Sequence, residues 1–140
     1  MKQVFLITIS IFALVACKKE KNDGTITKVG FYYEDVNIVE GEKPNTYNLY
    51  IDDVFKGKIN ILKEEPSNQS LLYFETLDSK RHEIDVKDNN GKYLSSSYIH
   101  VQKSKMGSGS GKNNKKVDGV NASKFTINPA SEYAIFAAYK

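Results

Sequence analysis

The chain has 140 residues, a formal net charge of +3, 40% hydrophobic and 26% charged residues, and a single cysteine. Its length accommodates one domain, and its charge fraction is that of ordinary globular proteins, which excludes wholesale disorder and a polytopic membrane protein. Apart from Arg81 the basic residues are lysines. Arginine supplies most bidentate recognition of bases and phosphates, so no nucleic-acid partner is expected.

The first segment is a short basic start, Met1-Lys2-Gln3, followed by Val4 to Val15, apolar apart from Thr8 and Ser10. Twelve helical residues span only ~18 Å against a hydrocarbon core of ~30 Å, so the segment reads as the apolar region of a secretory signal rather than a transmembrane helix. It ends in Leu14-Val15-Ala16-Cys17. This resembles the lipobox of bacterial lipoproteins. The resemblance implies a diacylglyceryl thioether on Cys17, cleavage before it and acylation of the new amine. It covers only the first 17 residues. The sole cysteine stands where a lipobox requires it, and with no second thiol the domain has no internal disulfide. Two or three acyl chains would give durable anchoring.

Residues 1–16 are thus expected to be a signal peptide. Its removal leaves 124 of the 140 residues and, because Lys2 is the only charge lost, lowers the net charge from +3 to +2. Residues 17–24 form a charged tether. Lys18 follows the cysteine, whereas an Asp there would resemble an inner-membrane retention signal, so the outer membrane is expected. The run Lys18-Lys19-Glu20-Lys21-Asn22-Asp23 is similar to the charged export signals of surface-exposed lipoproteins, which leaves the periplasmic and cell-surface faces both open.

From residue 25 to 140 the apolar residues alternate with period two, and strands are expected at 25–34, 36–40, 45–51, 55–62, 70–77, 81–86, 92–102, 123–128 and 132–139. Between residues 67 and 77 a short helix is the alternative to a strand. Turn chemistry separates the elements at Gly41-Glu42-Lys43-Pro44, Glu65-Pro66-Ser67-Asn68, Asp88-Asn89-Asn90-Gly91 and Asn128-Pro129-Ala130-Ser131. At Asp52-Asp53, a two-residue loop would bring Lys56 and Lys58 onto the apolar face. A three- or five-residue loop aligns Tyr47, Leu49 and Ile51 with Phe55, Ile59 and Ile61, so an odd loop with Phe55 in the core is expected. Tyr133 to Tyr139 carries no charge and should be a central strand. Eight or so strands point to an all-β antiparallel β-sandwich, loosely similar to small immunoglobulin-like extracytoplasmic domains, with a small β-barrel as the alternative.

Residues 103–117 depart from the mixed charge elsewhere, with Lys103, Lys105, Lys112, Lys115 and Lys116 and no acid. A mobile basic loop is expected, either a solvated connector or a contact for anionic groups such as an acidic glycan or lipopolysaccharide phosphates. Its Gly107-Ser108-Gly109-Ser110-Gly111-Lys112 run fails as a P-loop, because Met106 and Asn113 stand where Gly and Ser or Thr are needed. Asp88-Asn89-Asn90-Gly91 fails as a calcium loop, because Val86 and Ser97 stand at the two carboxylate positions, although weak Ca²⁺ binding through Asp85 and Asp88 stays open.

His82, in phase with Ile84 and Val86, reads as a half-buried sheet histidine. A two-histidine site with His100, or a pairing with Ser95, Ser96 or Ser97, lacks a third group to orient a base. Glu34-Asp35, Asp52-Asp53 and Glu64-Glu65 put adjacent carboxylates on opposite faces or in turns, so they make poor acid/base dyads. No catalytic residue, metal or cofactor is expected. The sequence therefore implies a non-catalytic binding module held to the membrane by acylated Cys17, with a protein or an anionic glycan as its partner. The alternatives are a periplasmic inhibitor or immunity-type protein, and a small barrel holding an apolar ligand.

Overall fold

The computed structural model describes residues 22–39, 45–102, 105–110, 116–117, 122–127 and 132–139. Cys17 and the signal segment lie outside them. The chain is all-β, with strands β1 (Ile26–Glu34), β2 (Thr46–Ile51), β3 (Val54–Leu62), β4 (Tyr73–Asp78), β5 (Arg81–Lys87), β6 (Tyr93–Gln102), β7 (Lys105–Ser110), β8 (Ala122–Ile127) and β9 (Ala134–Tyr139). They form one sheet in the order β7-β6-β5-β2-β3-β1-β9-β8, with β4 beside β1. The sheet curls until its end strands β7 and β8 lie alongside one another, so it is nearly closed and barrel-like. That shape fits the barrel alternative.

β1 organises this sheet. Val29, Phe31 and Tyr33 point into the core, where Phe31 meets Phe136 with ring centroids 5.7 Å apart. β9 runs parallel to β1 from Val29↔Ala134 to Glu34↔Tyr139, β4 antiparallel from Ile26↔Asp78 to Phe31↔Tyr73, and β3 parallel at Tyr33↔Ile61 and Glu34↔Leu62. The uncharged Tyr133–Tyr139 run therefore lies inside the sheet, between β1 and β8, as its composition predicts. The inward set is completed by Leu49, Ile51, Ile59, Ile61, Leu77, Ile84, Val86, Ile99 and Val101.

The other face of β1 is covered as well. Residues 63–72 contain a 3₁₀ turn (Gln69–Leu71) capped by Asn68, whose Oδ1 accepts from the Ser70 amide at 3.0 Å. The Asn60 side chain donates to the Leu71 carbonyl at 2.8 Å. Leu72 then packs with Tyr32 and Ala137 in a second buried cluster, flanked by Phe74, Tyr133 and Ile135. Gly30 lies under this cover: a Cβ there would stand 3.0 Å from both Leu72 Cδ1 and Phe74 Cε1. The strand expected at 70–77 is β4, and of the alternative short helix at 67–77 only one 3₁₀ turn is present.

Three sequence expectations are corrected. Residues 36–39 form a turn, not a strand. Residues 105–110, expected in a loop, form β7, paired with β6 from Gln102↔Lys105 to Ser97↔Ser110. The hairpin at Asp52-Asp53 has a two-residue loop: Ile51 faces Val54, and both aspartates have positive φ, 51° and 64°. Such φ values mark the mirror-image turn whose twist suits a hairpin, and Asp tolerates them. The phase conflict is removed by a bulge. Tyr50 pairs with Phe55 and Leu49 with Gly57, leaving Lys56 extra, so Ile59 and Ile61 still point inward. Phe55 is left 54% exposed, against Tyr50 on the outer face. Gly57 sits inward under the Tyr73 ring, whose hydroxyl donates to the Lys56 carbonyl at 2.8 Å; a Cβ on Gly57 would come within 2.6 Å of that ring.

These placements predict that Phe136→Ala destabilises the protein by about 3–5 kcal/mol, while Phe55→Ala changes stability by about 0.5 kcal/mol or less, both read from urea unfolding. Equal costs would show that the hairpin register is wrong. Burial, with smaller contributions from Tyr47 and Asp35, pushes the Tyr33 phenol from 10.0 up to about 12. A group whose folded pKa is raised stabilises below its unfolded pKa and loses that contribution as pH rises towards the folded one. Stability should therefore fall as pH goes from about 10 to about 12, and Tyr33→Phe should flatten that decline.

Candidate functional site

The outward residues of β5 are Arg81, Glu83, Asp85 and Lys87, a pattern that ordinarily reads as a solvated strand face. Asp85 nevertheless is 1% exposed. The cover is Lys116, whose Nζ lies 3.0 Å from Asp85 Oδ2, 2.8 Å from Glu83 Oε1 and 3.7 Å from Asp53 Oδ1. Burial works against the Lys116 charge. The hydrogen bonds to Glu83 and Asp85 outweigh it and hold the ammonium above its ordinary pKa. Asp85 Oδ1 is buried with no hydrogen-bond partner among the described residues, so the carboxylate relies on Lys116.

Beside this ion cluster lies an aromatic strip. Lys87 sits over Tyr50 at 4.1 Å and over Tyr93 at 4.2 Å, so one ammonium is clasped between two rings. Lys116 lies 5.5 Å above the same Tyr93, and Arg81 lies 4.1 Å above Tyr98. Phe55 extends the strip beyond Tyr50, with ring centroids 5.5 Å apart. Cross-strand pairing produces the arrangement: Phe55, Tyr50 and Asp85 are opposite one another on β3, β2 and β5, and Lys87 faces Tyr93 on β6. Chemically the surface offers ring faces, ring-held cations and carboxylates, the groups of an adhesive contact.

His82 points inward from β5 and is 4% exposed. Its Nδ1 is 2.8 Å from Asp52 Oδ2 and its Nε2 is 2.9 Å from Asp78 Oδ1. Asp52 Oδ1 also accepts from the Glu83 amide at 2.9 Å, so the histidine ties the β2–β3 turn to the β4–β5 turn. Both ring nitrogens therefore face carboxylates rather than Ser95, Ser96 or Ser97. His100 is opposite Arg81 rather than His82, so the two histidines alternate to different faces of the sheet. Ser95 and Ser97 are buried with their hydroxyls 3.5 Å apart, and Ser96 donates outward to Glu83 at 3.5 Å.

Of the lysines expected to contact anions, Lys103, Lys112 and Lys115 lie outside the described residues, and Lys105 begins β7. Lys116 lies against the chain's own carboxylates Glu83 and Asp85. Asp88 serves its turn, with Oδ1 accepting from the Asn90 and Lys92 amides at 2.8 Å, while Asp85 is sealed under Lys116. Among the described residues no group of three His, Cys, Asp or Glu side chains is placed to hold a metal ion. A surface pocket of about 250 Å³ lies between Leu62, Glu65, Pro66 and Leu71. No family model, curated protein or solved structure matches the chain.

The Lys116 cluster predicts a specific double-mutant result. Lys116→Met leaves a buried carboxylate uncompensated and should cost about 1–3 kcal/mol, less than a fully buried pair because Lys116 is 30% exposed. Adding Asp85→Asn should recover part of that loss; strictly additive losses would contradict the pairing.

Proposed function

We propose that the protein is a lipid-anchored extracytoplasmic binding module of the bacterial outer membrane, attached through acylated Cys17 and acting through its surface rather than by catalysis. The observation that carries this reading is the Leu14-Val15-Ala16-Cys17 sequence at the end of a short apolar segment. Further support comes from the way the chain enters the fold. Asp23 N–H donates to Ser79 Oγ at 2.6 Å and Ser79 Oγ donates to Asn22 Oδ1 at 2.9 Å, so the tether leads into a fixed point of the β4–β5 turn.

We base the reading on the small barrel rather than the immunoglobulin-like sandwich, because the β1–β3 ladder makes the two halves one sheet. Its interior is occupied by Phe31, Phe136, Leu49, Ile59, Ile84 and Ile99, each 1% exposed or less. A filled interior favours a surface partner over an apolar ligand held inside. The Tyr50–Lys87–Tyr93 strip is the surface we assign to a protein or glycan partner.

The test is the fate of the anchor. Wild-type protein should carry diacylglyceryl mass on Cys17 and fractionate with the outer membrane. Cys17→Ser should leave uncleaved precursor or release the domain into the soluble fraction. Wild-type protein without acyl mass at Cys17 would overturn the reading.

A further inference from the structure

We propose that the barrel end from which the tether emerges rests on the lipid bilayer, with Ile26, Val54 and Phe55 in the interfacial layer. The proposal rests on the lipid-anchor reading and adds an orientation to it. β1 and β3 run parallel with Tyr33 beside Ile61, and seven residues back along each strand stand Ile26 and Val54. Ile26 also pairs with Asp78, next to the turn that binds Asn22 and Asp23. The tether, the β4–β5 turn and the β2–β3 hairpin tip therefore share one end of the barrel. That end exposes Ile26 by 69%, Val54 by 56% and Phe55 by 54%.

The opposite end also exposes apolar residues, Val36 by 68% and Val39 by 56%, so apolar exposure alone does not choose between them. The tether does. Cys17 precedes Asn22 by five residues, a reach of at most ~18 Å when fully extended. The nine residues of β1 cover about 30 Å along the strand, or about 21 Å of height at a 45° tilt. Acyl chains on Cys17 can thus reach a bilayer at the near end, whereas placing Val36 and Val39 on the bilayer would require a tether longer than the sequence supplies.

The acids of this end are exposed but paired within the chain: Asp52 with His82 and the Glu83 amide, Asp78 with His82 and Lys80, and Asp53 with Lys116, 3.7 Å from its Nζ. A pair of apolar residues at a hairpin tip beside an acylated tether adds buried apolar area in the headgroup region, the second element that steadies a lipidated domain on a surface.

The experiment uses the acylated protein in vesicles of phosphatidylethanolamine and phosphatidylglycerol. Val54→Cys and Val39→Cys are each labelled with an environment-sensitive fluorophore, Cys17 being blocked by its thioether. Both sites are exposed, and unchanged melting temperatures verify folding. The Val54 probe should shift to the blue and lose emission to a nitroxide on the lipid headgroup, while the Val39 probe stays in water and responds to iodide. Equal iodide quenching of both probes, or lipid quenching at Val39, would overturn the orientation. Intact mass is read on the same samples. Missing acyl mass would sink the anchor reading and this proposal together, whereas acylated, vesicle-bound protein with a water-exposed Val54 probe would sink the orientation alone.

Discussion

The rest of the structure depends on β1 being paired along both edges and covered on both faces. One edge is shared by two strands, β4 along its first part and β3 at Tyr33 and Glu34, and β9 takes the other. β4 and β3 follow one another along that edge of β1 without a ladder between them. Phe31 and Tyr33 then look into the barrel while Tyr32, between them, is buried outside it under Leu72. A strand with this much apolar area removed from water on two sides is the least replaceable element of so small a domain. Asn22 and Asp23, held to Asp78 and Ser79 of the β4–β5 turn, lead directly into it.

The outer face of β5 carries a different constraint. Asp85 is buried on a surface that the strand pattern assigns to solvent, and Lys116 comes from residues far along the chain to neutralise it. A buried ion pair of this kind contributes little net stability, because desolvation offsets the attraction, but losing one partner is costly. The pair therefore specifies where residues 116–117 lie. It also supports the neighbouring strip, since Lys116 and Lys87 both lie over Tyr93.

Much of the fold was legible because inward residues recur with period two: β1, β2, β5, β6 and β9 follow from Val29-Phe31-Tyr33, Leu49-Ile51, Ile84-Val86, Ile99-Val101 and the uncharged 133–139 run. His82 was legible through its phase with Ile84. The hairpin register was not, because a bulge at Lys56 shifts the phase without leaving a local mark, so Phe55 falls outside although its spacing places it inside. β7 was hidden because its Gly107 and Gly109 give it no side-chain pattern; its strand form comes from the backbone of β6. The Lys116 site was invisible for a plainer reason. Its partners Glu83 and Asp85 are more than thirty residues away, and no local spacing encodes such a contact.

Native-state hydrogen exchange of the backbone amides tests most directly whether β1 is the hub of the fold. Amides of Val29–Glu34 and Ala134–Ala138 should be the slowest to exchange and open together at the global unfolding free energy, with β7 and β8 exchanging faster. Amides of β1 that exchange before those of β2 and β5 would contradict it.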